Sequence, residues 1–210
     1  MSGLLIIGAG GHGIVVAEAA IASGRWQHIA FLDDRYRELN GTLLFPVLGT
    51  LGEAGAFKNE FADANVAVGD SRLRLSLIEQ LLAQGFSLPP IVHPAAWISP
   101  SAQLAPGCVV MAQAVLQANV RIGRGAIINT AATVDHDCRI GDGVHVCPGV
   151  NLAGEVEIGP SSWIGIGSCV IQQIKIGANV TIGAGAAVVT HIEDNCMAVG
   201  VPAKAVKKSV

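Results

Sequence analysis

The sequence predicts an α/β plus β-solenoid chain: a small Rossmann-like βαβ domain over residues 1–86, a parallel β-helix of hexapeptide repeats over 87–190, and a C-terminal tail over 191–210. Three observations predict it. LLIIGAGGHG (residues 4–13) is an apolar run ending in G-x-G-x-x-G, at Gly8, Gly10 and Gly13, followed by a helix-like segment. From Val92 to Val188 every sixth residue is aliphatic, seventeen positions in succession without one insertion. Aromatics are scarce (4%) while glycines number 26, a composition suited to short sides and tight corners rather than to an ordinary mixed domain.

The first domain begins with a strand at Leu4–Ile7. A helix over about Ile14–Ser23 and a strand at Ile29–Leu32 follow, with Asp33 twenty residues beyond Gly13. A third strand is predicted at Asn65–Val68, then Gly69-Asp70-Ser71 and a helix over about Arg72–Gln84. Pro89-Pro90 stiffens the joint to the repeat. The glycine loop suits a dinucleotide, but only about 85 residues precede the coils, room for one mononucleotide half where a dinucleotide needs two. The backbone N–H groups and the helix dipole still favour a diphosphate. An acidic residue after the second strand can accept hydrogen bonds from a ribose or a base edge. A nucleotide-sugar therefore fits as well as NAD does; a plain structural turn is the alternative.

Neither a helix nor an alternating strand has period six, whereas a prism-shaped parallel β-helix does. Each hexapeptide forms one flat side, the aliphatic points inward, and residues eighteen apart stack on successive coils. Glycine often follows the aliphatic (Gly123, Gly141, Gly159, Gly165, Gly177, Gly183) and is expected to ease the corner. The position four after the aliphatic is small or β-branched, as at Cys108, Ala126, Ala132 and Ser168.

The whole chain sets further bounds. A net charge of −3 argues against nucleic-acid binding, which needs a basic face. No apolar stretch of about 18 residues runs unbroken, and no signal-peptide pattern is present, so no membrane span and a cytoplasmic location are expected. The five cysteines show no C-x-x-C pairing and no metal spacing with histidine, so neither disulfides nor a metal site are expected.

Chemistry concentrates in IINTAATVDHDCRIGDGVHVCPG, residues 127–149. His136 stands between Asp135 and Asp137, and His145 follows nine residues later. Acyl transfer from a thioester needs a base for the attacking nucleophile and donors for the oxyanion. Histidine titrates near neutrality, and an adjacent carboxylate orients the ring and stabilises the imidazolium. The alternative is a pair of solvated surface histidines. Nine residues is half a coil, so the two histidines face different sides of one prism; one site can use both only if it lies between two subunits, as in a trimer. Cys138 stands at the small inward position four after Val134 and reads as packing rather than as a thiol nucleophile.

The six-residue period resembles the hexapeptide-repeat acyltransferases, whose left-handed parallel β-helix departs from the right-handed crossover rule; VGVPAK (199–204) is a further family feature, in a tail that carries Lys204, Lys207 and Lys208. GAGGHG, FLDD, VGDSRLR, NTAATVDHDC, the second histidine and VGVPAK together resemble the bacterial sugar O/N-acyltransferases that include the sialic acid O-acetyltransferases, and within them the UDP-4-amino-sugar N-acetyltransferases of protein glycosylation. The resemblance implies an acetyl-CoA-dependent N-acetyltransferase that converts UDP-4-amino-4,6-dideoxy-N-acetylglucosamine to the UDP-2,4-diacetamido-trideoxyhexose, as a homotrimer. His136 would be the general base, Asp137 its orienting carboxylate (where relatives often carry Glu), and His145 of a neighbouring subunit would lie near the thioester. Gly154 and Ile166 would give backbone contacts to the acetyl and pantetheine groups, with Ala184 and Lys204 further along the CoA groove. Gly10, Gly11, His12 and Gly13 would cradle the diphosphate, and Asp33 and Asp34 would contact the uridine. Gly69, Asp70 and Arg74 would line the pocket, and Asn129 would face the sugar. Acetylation of sialic acid or GDP-perosamine, at oxygen or nitrogen, stays open, as does a silent nucleotide-sugar-binding scaffold.

Overall fold

A computed structural model describes residues 3–39 and 41–206; Lys207 and Lys208 lie outside the described residues. The chain divides into two compact units, Met1–Pro94 and Ala95–Val210.

The first unit is built on a parallel sheet of β1 (Gly3–Ile7), β2 (His28–Leu32), β3 (Val47–Gly49) and β4 (Asp63–Val66), in the order β3-β2-β1-β4. The central strand, β1, is buried along its whole length, as an all-apolar run with both faces covered requires. Helix α1 (Gly11–Ala22) begins three residues before the expected start, because Gly10 is its N-cap and its first turn is Gly11, His12 and Gly13. Strand β4 ends at Val66, before the expected Val68, because the carbonyls of Val68 and Gly69 turn to the Arg74 guanidinium instead of a neighbouring strand. A short helix, α2 (Tyr36–Leu39), then β3 and a 3-10 helix over Leu51–Phe57 fill a stretch for which no element is predicted; the Thr50–Glu53 capping box starts the 3-10 helix. Helix α3 (Ser71–Ala83) packs Leu77, Ile78 and Leu81 on the sheet.

The second unit is the predicted β-helix. From Trp97 to Val188 its strands are two residues long, and the second residue of each coincides with the aliphatic of the six-residue period. Three parallel sheets form the sides of the prism. The first carries Trp97–Ile98, Val115–Leu116, Thr133–Val134, Asn151–Leu152, Cys169–Val170 and Ala187–Val188; the second carries Gln103–Leu104, Arg121–Ile122, Arg139–Ile140, Glu157–Ile158 and Lys175–Ile176; the third contains Val109–Val110, Ile127–Ile128, His145–Val146, Trp163–Ile164 and Thr181–Ile182. Pairing joins residues eighteen apart, as in Ile122 to Ile140 and His145 to Trp163. From Val110 onward the inward aliphatics are buried, and removing each from water contributes about 1.5–3 kcal/mol.

The corner is not where glycine after the aliphatic suggests. The left-handed residue falls three after the aliphatic, at Asn119 (φ 62°), Asp137 (φ 59°), Glu155 (φ 61°) and Gln173 (φ 63°) among others. Glycine directly after the aliphatic serves close stacking: a Cβ on Gly123 would lie 2.6 Å from the Asp142 nitrogen on the next coil, and one on Gly159 would lie 2.6 Å from the Ala178 nitrogen. The period slips at the end, where Thr181 pairs with Met197, sixteen residues on. The segment read as a tail forms an antiparallel pair, Met197–Val199 with Lys204–Val206, with Lys204 opposite Val199.

Candidate active site

His136 and Asp137 form the corner between the first and second sides of the prism. A column of residues eighteen apart runs along this corner, each in the left-handed conformation that Asn and Asp tolerate best among residues with a Cβ. The His136 Nδ1 lies 2.9 Å from Asp137 Oδ2. Asp137 is held below its ordinary pKa by this bond first and by Asn119 second, so its carboxylate is ionised and accepts only. Nδ1 therefore carries the proton, and the neutral ring keeps its lone pair on Nε2. Asn119, eighteen residues before Asp137, donates from Nδ2 to Asp137 Oδ1 at 3.0 Å. Asp135 Oδ1 accepts the His136 backbone N–H at 2.8 Å. The Asp137 bond, joined by the charges of Asp135, Asp137 and Glu155, raises the His136 pKa above its usual value.

Gly154, eighteen residues after His136, explains where the ring rests. A Cβ there would stand 2.6 Å from His136 Nε2 and 2.7 Å from Cε1. The imidazole lies on bare backbone, and only glycine leaves that seat open. The resemblance assigns Gly154 a contact to the acetyl group; its position against the His136 ring puts any such contact beside His136.

His145 lies on the third side, away from the His136 corner, so one chain does not bring the two histidines together. Its Nε2 is 3.1 Å from Asn129 Nδ2, and its ring meets Trp163 edge to face, with centroids 4.3 Å apart. A hollow of about 390 Å³ joins His145 to Trp163, Ile166, Ile182 and Ala184. Ile166 is 58% exposed there. The hollow offers a mostly apolar wall of a kind that suits a pantetheine arm. Lys204 is exposed on the last strand. Asn119 and Trp163 escape sequence reasoning, although counting eighteen back from Asp137 and eighteen on from His145 reaches both.

Cys138 is buried, donates to the Ala153 carbonyl at 3.2 Å, and has a thiol pushed up to about 11 by burial. A thiol so rarely ionised is a poor nucleophile, which fits direct transfer.

In the first unit, the glycines of the loop separate into two kinds. A Cβ on Gly13 would overlap the Gly8 carbonyl oxygen, so Gly13 is required for packing the helix on the loop. Gly10, Gly11 and Gly69 have no atom near a Cβ and no positive φ, so neither packing nor backbone strain accounts for them. The α1 N-terminus has no side-chain cap, and the positive end of a helix favours an anion.

The acidic and basic residues nearby are engaged within the chain. Asp33 Oδ2 accepts the Ala9 N–H at 2.9 Å and Oδ1 accepts the Arg35 N–H at 2.9 Å, which fixes the loop to the end of β2. Asp34 Oδ1 accepts the Leu51 N–H at 3.2 Å. Asp70 caps α3 through the Leu73 N–H at 2.8 Å. Arg74 is buried, with Nη1 bonded to the carbonyls of Val68 and Gly69 at 2.6 and 2.9 Å. Burial, then the Arg74 charge, lowers the His12 pKa to about 4, so His12 is neutral near pH 7.

Among the described residues, no group of three His, Cys, Asp or Glu side chains could hold a metal ion, and no helix is long and apolar enough to cross a membrane.

Comparisons with known proteins identify the family of the chain. Residues 3–81 match the PglD N-terminal domain family. No curated protein gave a significant match. Among solved structures, the acetyltransferase domain of PglB from Neisseria gonorrhoeae FA1090, in complex with acetyl coenzyme A, is 48% identical, with 97% of this chain and 98% of that one covered at a TM-score of 0.93. PerB from Caulobacter crescentus, in complex with CoA and GDP-perosamine, is 40% identical over 99% of this chain and 98% of that one, also at a TM-score of 0.93. WeeI from Acinetobacter baumannii AYE is 25% identical over 98% and 100%, at 0.87. With a glycine-loop α/β unit, a complete hexapeptide β-helix and full-length identity near one half, this chain belongs to the acetyl-CoA-dependent sugar acetyltransferases of the glycosylation pathway.

Proposed function

We propose that the enzyme N-acetylates the 4-amino group of a UDP-4-amino-4,6-dideoxy-N-acetylhexosamine, with His136 as general base and direct transfer from acetyl-CoA. The observation that carries this is the His136 geometry: Nδ1 tied to an ionised Asp137, and Nε2 left with its lone pair over the Gly154 backbone. The amine nitrogen attacks the thioester carbonyl carbon while Nε2 takes its proton. The C–S bond then breaks, and the imidazolium returns the proton to the departing CoA sulfur. Backbone N–H groups near Gly154 would steady the oxyanion.

The remaining roles follow from the same reading. Gly10, Gly11, His12 and Gly13 would bind the diphosphate, with His12 as a neutral hydrogen-bonding group. Asp33 and Asp34 would contact the uridine through carboxylate capacity left beyond their internal bonds, and Gly69, Asp70 and Arg74 would shape that pocket. Ile166, Ala184 and Lys204 would line the path of CoA. The separation of His136 from His145 favours a homotrimer in which His145 and Asn129 of one subunit complete the site of its neighbour. We place the enzyme in the cytoplasm, where acetyl-CoA is made. The likeness to PerB supports GDP-perosamine as a second acceptor to test.

The test is CoA-thiol release from acetyl-CoA against UDP-, GDP- and CMP-linked amino and hydroxyl sugars, with wild type and His136→Ala. The expected result is turnover on the UDP-4-amino sugar, lowered about 10²–10⁴-fold in the variant with acceptor binding retained. Preference for a GDP- or CMP-sugar overturns the substrate, and unchanged turnover in His136→Ala overturns the base.

A further inference from the structure

We infer that Asn119 is a positioning residue for this reaction: it holds Asp137 from the preceding coil so that one carboxylate oxygen, and only that one, meets His136. The inference rests on His136 being the base. Asn119 and Asp137 occupy the same left-handed corner on successive coils, and the Asn119 amide donates to Asp137 Oδ1 at 3.0 Å while Oδ2 faces His136 Nδ1 at 2.9 Å. Asp137 is exposed and short, so the corner conformation alone leaves its carboxylate free to turn about the side-chain bonds. With Oδ1 fixed from one side, the proton of the neutral ring stays on Nδ1 and the basic lone pair stays on Nε2. Asn119 is itself fixed, because its backbone N–H donates to Ser101 Oγ at 2.9 Å, one further coil back. The column thus runs Ser101, Asn119, Asp137, with His136 at its reactive end and Gly154 as the seat beyond.

The same corner continues in the other direction. Gln173 Nε2 lies 3.4 Å from both oxygens of Glu155. Asp137, bonded to the histidine, and Glu155, whose charge acts on it, therefore each have an amide from the coil that lies further out. The charged and titratable groups around His136 are Asp135 and Asp137 on its own coil and Glu155 on the next; Arg121 and Arg139 share a hollow with Asp137 and Asn119 on the second side. Loss of the Asn119 amide lets Asp137 leave Nδ1. The histidine is then a weaker base, free to adopt the other tautomer, and titrates at lower pH.

Asn119→Gly tests this in the full-length enzyme, because glycine keeps the left-handed corner and removes only the amide. The expected result is a kcat lowered about tenfold, an acetyl-CoA KM within about twofold of wild type, and an acid limb of the rate profile moved to lower pH. The His136 ring titration, followed by NMR, moves the same way. An unchanged kcat and limb overturn the inference, and so does a loss of activity that tracks thermal instability with the limb and the ring titration unmoved. Should His136→Ala retain wild-type turnover, the base assignment fails by itself; the ring titration in Asn119→Gly then still decides whether Asn119 controls the His136–Asp137 pair.

Discussion

His136 and His12, one in each unit, are tuned in opposite directions by the two oldest effects on a titrating group. His136 is exposed at a solenoid corner, where a hydrogen bond to Asp137 and three nearby carboxylates favour its protonated form. His12 is largely buried in the first turn of α1 beside the Arg74 charge, and both burial and charge disfavour protonation, to about pH 4. Around neutral pH the first is a proton acceptor with real affinity for a proton; the second is a neutral imidazole suited to hydrogen bonding beside a phosphate. On the proposed reading, two residues of the same type would divide the work of base and binder because their surroundings differ, as pairs of titrating groups do where environment sets their roles.

The comparison is sharpened first where His136 touches the coil above. Gly154→Ala adds a methyl group 2.6 Å from Nε2, at a position whose backbone accepts alanine, so the ring alone must move. Turnover is expected to fall about 10²-fold, the scale of a misplaced catalytic group. In His136→Ala the same change is expected to cost almost nothing further, because the atoms it displaces are gone; additive losses would show that Gly154 acts apart from the ring.

A smaller effect belongs to His12 and is read in stability. Below about pH 6.5 the unfolded chain protonates this histidine, while the folded one does so only near pH 4, so acidification through that window favours unfolding. Between pH 6.5 and pH 4 the wild type should lose about 3 kcal/mol more unfolding free energy than His12→Asn. Equal losses in the two proteins, measured by denaturant unfolding, would place the His12 pKa at its ordinary value.

Much of this was legible in the residues because the solenoid converts spacing into direction. The six-residue period names the inward aliphatics, and eighteen residues name the stacked neighbour, as Ile122 under Ile140 shows. The corner was less legible. Glycine after the aliphatic marks tight stacking, while the left-handed turn sits two residues later and is filled by Asn, Asp, Glu or Gln as readily as by glycine. That is why Asp137 is visible in sequence as an acid beside a histidine but not as a corner residue clamped by Asn119. In the first unit the glycine loop is plain, yet the internal use of Asp33, Asp34 and Asp70 is not, because a capping carboxylate and a ligand-binding one share the same letter. The 3-10 helix at Leu51–Phe57 lacks helical periodicity, and its capping box, Thr50 and Glu53, is the only local signal it carries.

The most direct measurement is the pH profile of kcat/KM for thiol release, which reports the free enzyme's essential base. The account predicts an acid limb above pH 6.5, where His136 titrates, and its disappearance from the residual activity of His136→Ala. A limb near pH 4, where His12 titrates, or one that survives replacement of His136, would contradict it.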